Sequence, residues 1–238
     1  MPSIHFQGVT KIYSRQSREF FWRFLLEALG SGKTAPHYAL RNATFQFSAG
    51  DAVGVVGHNG AGKTTLLNLV ARLTVPEEGV VRVEGRVAAM MELGSGFHPD
   101  LTGTENLRIN AALHGLSARQ TEEAFAAIIE FSELGDFIHE PLRTYSQGMI
   151  LRLAFSVTVS TRPDILLIDE LLAVGDEGFQ RKCFARLRQL RDAGTILLCV
   201  SHYPDVLREV CHTAMWLDQG RIVQVGPLDQ VVASYRSG

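Results

Sequence analysis

Ala52-Val-Gly-Val-Val-Gly57-His58-Asn59-Gly60-Ala61-Gly62-Lys63-Thr64-Thr65-Leu66-Leu67 is the stretch that decides the fold. Its first five residues are an apolar run of the kind that fills a strand buried on both faces. Gly57 to Thr64 match G-x-x-x-x-G-K-[ST] in full, and Thr65-Leu-Leu-Asn-Leu69 opens an apolar helix behind them. Strand, glycine loop and helix in that order separate a phosphate-binding P-loop from a chance glycine-rich turn. The glycines let backbone N–H groups turn inward round phosphate oxygens. The helix N-terminus adds about half a positive charge at the same place. In such a loop Lys63 would neutralise the β- and γ-phosphates of a nucleotide, and Thr64 would ligate Mg2+.

Downstream, Ile165-Leu-Leu-Ile168 is a short buried strand that ends in Asp169-Glu170. Alone, an acidic pair after a strand reads most simply as a helix cap. With a P-loop upstream, Asp169 suits the Mg2+ site and Glu170 suits the general base that polarises the attacking water. Ser201-His202 follows another apolar strand, Thr195 to Val200. A lone histidine is usually structural, but ligands of open α/β sheets bind at the carboxyl ends of strands. There His202 can donate to the γ-phosphate. Tyr145-Ser146-Gln147-Gly148-Met149 precedes a helix from Ile150 to Ser160. Ser146 can cap it, and the helix start is a second anion-attracting position.

Outside these motifs the chain reads as mixed α/β. At 238 residues it is one large domain or a domain with a subdomain, at about 100–200 residues per domain. Hydrophobic residues at 46% and charged residues at 20% exclude a largely disordered chain. With 25 acids against 23 bases, no bulk positive charge points to nucleic acid. Cys183, Cys199 and Cys211 are widely spaced and fit a reducing, cytosolic setting. Neither a signal peptide nor a run of about 20 apolar residues is visible.

Ile4 to Val9 and Leu40 to Phe47 alternate as half-buried strands, and Val80–Glu84 with Arg86–Met91 read as a hairpin about Gly85. Thr102-Gly-Thr-Glu105 and Ser117-Ala-Arg-Gln120 both match the capping box and open helices. Phe179, Cys183, Phe184, Leu187 and Leu190 form a helical stripe, and Thr213–Leu217 with Arg221–Val225 form a closing hairpin through Gln219-Gly220. This is a sheet-and-helix core interrupted by a helical insert. The expected division is a core at 1–94 and 163–238, with the insert at 95–162. Residues 14–36 break the pattern, because Phe20, Phe21, Trp22, Phe24, Leu25, Leu26 and Leu29 nearly encircle a short helix. It reads either as a helix packed on its own core or as a surface element for a membrane partner or the lipid boundary.

Together these motifs, in this order, resemble an ATP-binding subunit of an ABC transporter over about residues 3–235. The resemblance implies an ABC-type P-loop ATPase core, a mixed sheet with an antiparallel β part, carrying an inserted α-helical signature subdomain. It assigns adenine stacking to Tyr13, the signature to Ser146, Gln147, Gly148 and Met149, and a D-loop to Ala173-Val-Gly-Asp176. The Mg2+-contacting Q-loop residue falls on Glu92, where the family usually has glutamine. The signature reads Y-S-Q-G-M in place of the usual L-S-G-G-Q. Those departures, with the Glu92–Phe97 segment and the inserted helix, are similar to the branch that exports O-antigen, capsule and teichoic-acid polysaccharides. The implied working unit is a head-to-tail homodimer closing on two ATP molecules and driving a membrane permease from the cytoplasmic face of the inner membrane. The permease's coupling helix is expected to dock near residues 92–107. A soluble, non-transport ABC ATPase is the alternative. The long coiled coil of chromosome-type members is absent between Lys63 and Asp169, and no guanine-reading N-K-x-D string occurs.

Overall fold

The structure, a computed structural model, describes residues 1–13, 36–90, 96–169, 176–201 and 203–237. The inserted helix read at 18–29 lies outside the described residues.

Two sheets form the core. The smaller is antiparallel, with β1 (Ser3–Tyr13) between β2 (His37–Ser48) and β4 (Glu78–Glu84). The larger has the order β5-β6-β7-β3-β8-β9. It comprises β5 (Val87–Met90), β6 (Ile165–Asp169), β7 (Ile196–Val200), β3 (Ala52–Val56), β8 (Thr213–Asp218) and β9 (Arg221–Pro227). All its pairings are parallel except that of β8 with β9. The parallel strands β3, β6 and β7 are buried along nearly their whole length, which is why they read as continuous apolar runs. Val55 pairs with Val200, and Val200 with Asp169. The carboxyl ends of β3, β6 and β7 therefore finish side by side.

Helix α1 (Lys63–Val70) is packed between the sheets. Its Leu66, Leu67, Leu69 and Val70 share one apolar cluster with Ile4, Phe6 and Leu40 of the small sheet and Val53, Leu167 and Leu198 of the large one. A second cluster covers the other face of the large sheet. Phe155 and Val159 of α4 (Gln147–Ser160), Phe179 to Leu190 of α5 (Glu177–Asp192) and Leu228, Val231 and Val232 of α7 (Leu228–Ser237) pack there on Val56, Leu166 and Ile168. A four-residue helix, α6 (Pro204–Leu207), contributes Leu207.

Helices α2 (Gly103–Leu113) and α3 (Ala118–Ser132) pack against α4 around a third cluster of Leu107, Ile128, Leu153 and Val157. Both capping boxes read in the sequence are formed, Thr102 with Glu105 and Ser117 with Gln120.

The hairpin read about Gly85 is not formed. β4 pairs with β1, Ser3 opposite Glu84, and β5 pairs in parallel with β6, Val87 opposite Ile165. Gly85 has φ 117°, and the Asp164 carboxylate accepts the Arg86 N–H at 2.8 Å, sending the chain from one sheet into the other. Alternation marks a strand but not its partner. β1 also runs to Tyr13, four residues beyond the expected Val9, and β2 begins at His37 rather than Leu40.

Candidate nucleotide-binding site

The glycine loop leaves the end of β3 against the turn of β8 and β9. A Cβ on Gly57 would lie 2.2 Å from the Leu217 carbonyl oxygen, and one on Gly62 would lie 2.3 Å from that of Ala39. Gly62 has φ 107°, so both space and backbone require glycine there. The Gly220 N–H donates to the Ala61 carbonyl at 3.0 Å, and the Arg41 N–H donates to the Gly220 carbonyl at 2.7 Å. The loop is thus fastened to β2 through one residue of the β8–β9 turn.

Lys63 opens α1 and is only 7% exposed. Its Nζ donates to the carbonyls of Gly57 (2.7 Å) and His58 (3.1 Å), which holds the ammonium over the loop. Thr64 Oγ1 donates to Asp169 Oδ2 at 3.4 Å, joining the start of α1 to the end of β6. A cavity of about 410 Å3 opens over these groups. Asn59, Gly60, Gly62, Lys63, Thr64 and Thr65 line it from the loop, Asp169 from β6, and Tyr13, His37 and Ala39 from the small sheet. Gly57 and Ala61 are buried beneath the loop, and His58 is exposed beside it.

Tyr13 is 41% exposed, with the Lys11 ammonium 5.3 Å from its ring centroid. His37 stands opposite Tyr13 in the β1–β2 register. Directly opposed residues project from one face of a sheet, so two rings wall the cavity there. His37 carried no motif, and only the pairing across residues 14–35 brings it to the site.

Ser146, Gln147, Gly148 and Met149 do not line this cavity. Ser146 caps α4, its Oγ accepting the Met149 N–H at 3.2 Å, and Ser146 and Gln147 are exposed. Asp176 caps α5 by accepting the Phe179 N–H at 3.0 Å. Its other oxygen accepts from Arg152 of α4 at 2.7 Å. That backbone hydrogen bond, with the arginine charge, holds the Asp176 carboxyl below its ordinary pKa. Arg152 also donates to Glu133 at 2.9 Å, and Glu133 accepts from Lys182 of α5 at 2.9 Å. No sequence motif singled out this network, because its members come from three helices. Glu92, Glu170, His202 and Ala173-Val-Gly175 lie outside the described residues.

The arrangement offers a glycine loop at a helix start with an ammonium over it for phosphate, an aromatic wall, and a hydroxyl beside a carboxylate. Hydroxyl and carboxylate oxygens are the hard donors Mg2+ prefers, and Mg2+ in such sites takes one or two protein ligands and completes its shell with phosphate and water. In keeping with that, no cluster of three His, Cys, Asp or Glu side chains that could cage a metal occurs among the described residues.

Known proteins agree with this geometry. The ABC transporter family profile matches residues 40–173. The O-antigen export system ATP-binding protein RfbB of Klebsiella pneumoniae is 41% identical over 250 residues, covering 99% of this chain and 98% of that protein. The teichoic acids export ATP-binding protein TagH of Staphylococcus saprophyticus is 36% identical, covering 98% and 88%. Among solved structures, a dimeric ATP-binding cassette in a post-hydrolysis state with ADP and Pi superposes with a TM-score of 0.76 at 21% identity, covering 94% of this chain and 98% of that one. A strand-loop-helix phosphate cradle, an acidic strand end beside it, a helical insert and this kinship give one result: the chain belongs to the ABC transporter family.

Proposed function

We propose that the chain is the ATP-hydrolysing subunit of an ABC transporter that exports a lipid-linked cell-surface polysaccharide across the inner membrane. The observation that carries the reading is kinship along nearly the whole length with an O-antigen export ATP-binding protein, 41% identical over 99% of the chain. The lesser kinship to a teichoic acids export ATP-binding protein supports export of a cell-surface polymer as well.

The proposed division is a core of residues 1–94 and 163–238 with an insert at 95–162; the insert has an apolar cluster of its own around Leu107, Ile128 and Leu153, and Phe155 and Val159 of α4 join it to the core. Tyr13 stacks the adenine. Gly57 to Thr65 hold the phosphates, with the Lys63 ammonium drawn from the Gly57 and His58 carbonyls onto phosphate oxygen. Thr64 and Asp169 would hold Mg2+, with Glu92 the candidate third contact. Mg2+ when bound offsets phosphate charge. Glu170 takes the proton of the attacking water, and His202 donates to the γ-phosphate. Ser146, Gln147, Gly148 and Met149 stand apart from the chain's own cavity, so they are free to close on the ATP of a second copy, with Asp176 at the same seam. A head-to-tail pair then closes on two ATP molecules and reopens after hydrolysis, a two-state switch biased by nucleotide. No helix among the described residues is long and apolar enough to cross a membrane. The proposed partner is an integral membrane permease, which the chain contacts from the cytoplasmic face of the inner membrane.

The test is affinity purification of the tagged chain from its native membranes, with mass spectrometry of proteins and lipids. A co-purifying polytopic permease with a polyprenyl-linked glycan is expected. Recovery from the soluble fraction alone, with no membrane partner, overturns export in favour of a non-transport ABC ATPase.

A further inference from the structure

Helix α7 presents one apolar stripe, Leu228, Val231, Val232 and Tyr235, at i, i+3, i+4 and i+7. The first three are buried in the core. Tyr235 carries the stripe one turn further, out to the phosphate loop. Its ring centroid lies 5.3 Å from that of His58, at an interplanar angle of 53°. On its other side it meets Trp216 of β8 edge-on at 6.0 Å. The Trp216 indole N–H is buried and has no acceptor among the described residues. Three rings from the loop, the helix and the sheet are therefore in series.

The same helix is also tied to the chain that follows β7. Arg236 donates to Asp205 at 3.0 Å, and Arg208 donates to Asp229 at 2.8 Å and again to Asp205. Asp205 and Arg208 belong to the turn just after Ser201. One helix thus braces two segments: the glycine loop through Tyr235, and the short helix after β7 through Asp205 and Arg208.

We propose that Tyr235 is a positioning residue for nucleotide, acting through His58. The link is the His58 carbonyl, which accepts from Lys63 Nζ at 3.1 Å while its own ring rests on Tyr235. Transfer of the Lys63 ammonium to phosphate oxygen removes that hydrogen bond. Tyr235 then holds His58, and with it the loop, in the shape that presents N–H groups to phosphate. Loop loading and α7 docking stabilise each other, and such coupling is reciprocal. This inference rests on the reading of the loop as a nucleotide site.

The experiment is titration of the purified chain with the Mg2+ complex of AMP-PNP, read by calorimetry and by Trp216 emission in a Trp22→Phe background. Tyr235→Leu keeps apolar bulk but removes the ring, and it is expected to raise Kd roughly three- to tenfold, the size of one aromatic-pair contact. Tyr235→Phe is expected to bind as wild type, because the ring and not the hydroxyl makes the contact. Nucleotide should shift Trp216 emission in wild type and Tyr235→Phe but not in Tyr235→Leu. A purely structural role would lower the melting temperature and leave the Kd of the folded fraction unchanged. His58→Ala breaks the same contact from the exposed side, so it serves if Tyr235→Leu fails to fold, and the double variant should be less than additive. Unchanged Kd and emission response in both single variants overturn the proposal while leaving the nucleotide site intact. Failure of the wild-type chain to bind AMP-PNP more tightly than Lys63→Ala overturns the nucleotide reading as well.

Discussion

Thr64 and Asp169 are 105 positions apart and meet through one hydrogen bond, from the Thr64 hydroxyl to the Asp169 carboxylate. At this scale the predictions concern single atoms. Lys63→Ala removes the ammonium over the loop, so nucleotide binding measured by calorimetry should be lost while the melting temperature changes little. Gly62→Ala places a methyl against the Ala39 carbonyl at a backbone angle that L residues rarely adopt. A cost of order 1–3 kcal/mol is expected from that strain, visible as a lower urea midpoint together with weakened binding. Glu170→Gln should reduce kcat for ATP by about 10²-fold or more, the usual worth of a general base, and leave ATP binding in place. Phosphate release and binding, measured side by side, separate the two effects. Equal hydrolysis by Glu170→Gln and wild type removes Glu170 from the base role.

Among the elements, the short-range signals in the sequence were the dependable ones. Thr102 and Ser117 form their capping boxes because both partners lie within four residues, and a local hydrogen bond needs no tertiary support. Thr102→Ala should cost about 1 kcal/mol in a chemical melt. Residues 80–91 went the other way. Their alternation identified two strands correctly and paired them wrongly, because strand partners are chosen by burial and register across the whole fold. β5 was drawn to β6 by the apolar face it shares with the helices of the second cluster. Helix α7 was missed altogether: its stripe is only four residues long, and it gains stability chiefly from docking on β8 and the core, as marginal helices do.

For the molecule as a whole, the question is how the helical insert is held to the core. Arg152 of α4 spans that seam, with one arm on Glu133, the residue that caps the end of α3, and the other on Asp176 at the head of α5, and its guanidinium lies 4.5 Å from the Phe179 ring centroid. The Asp176 carboxyl titrates below its ordinary value of 3.8, first because of the Phe179 N–H and then because of Arg152. A lowered pKa means that the stabilisation is fully present above about pH 3.8 and is lost as pH falls through the folded value. The stability difference between wild type and Arg152→Met should therefore be constant from pH 5 to pH 8 and shrink below that ordinary value. Denaturant midpoints at several pH values would measure it. A difference that instead grows on acidification would exclude Asp176 as the titrating partner. At the same scale, Glu170→Gln with ATP should elute as a dimer in size-exclusion chromatography, and Lys63→Ala as a monomer.

The residues specified the glycine loop between strand and helix, the strand that ends at Asp169, the two capped helices and the α/β class. Each of those is written in contiguous residues whose backbone geometry or hydrogen bonding is local. The helical start at Ser146 was equally legible for the same reason. What contiguous residues do not carry is which strand pairs with which, that His37 faces Tyr13, that Tyr235 reaches His58, and that Arg152 bridges to Asp176. Those contacts depend on long-range burial of apolar faces. The large apolar areas of the three clusters dominate the packing, and the polar and aromatic partners meet where that packing leaves them.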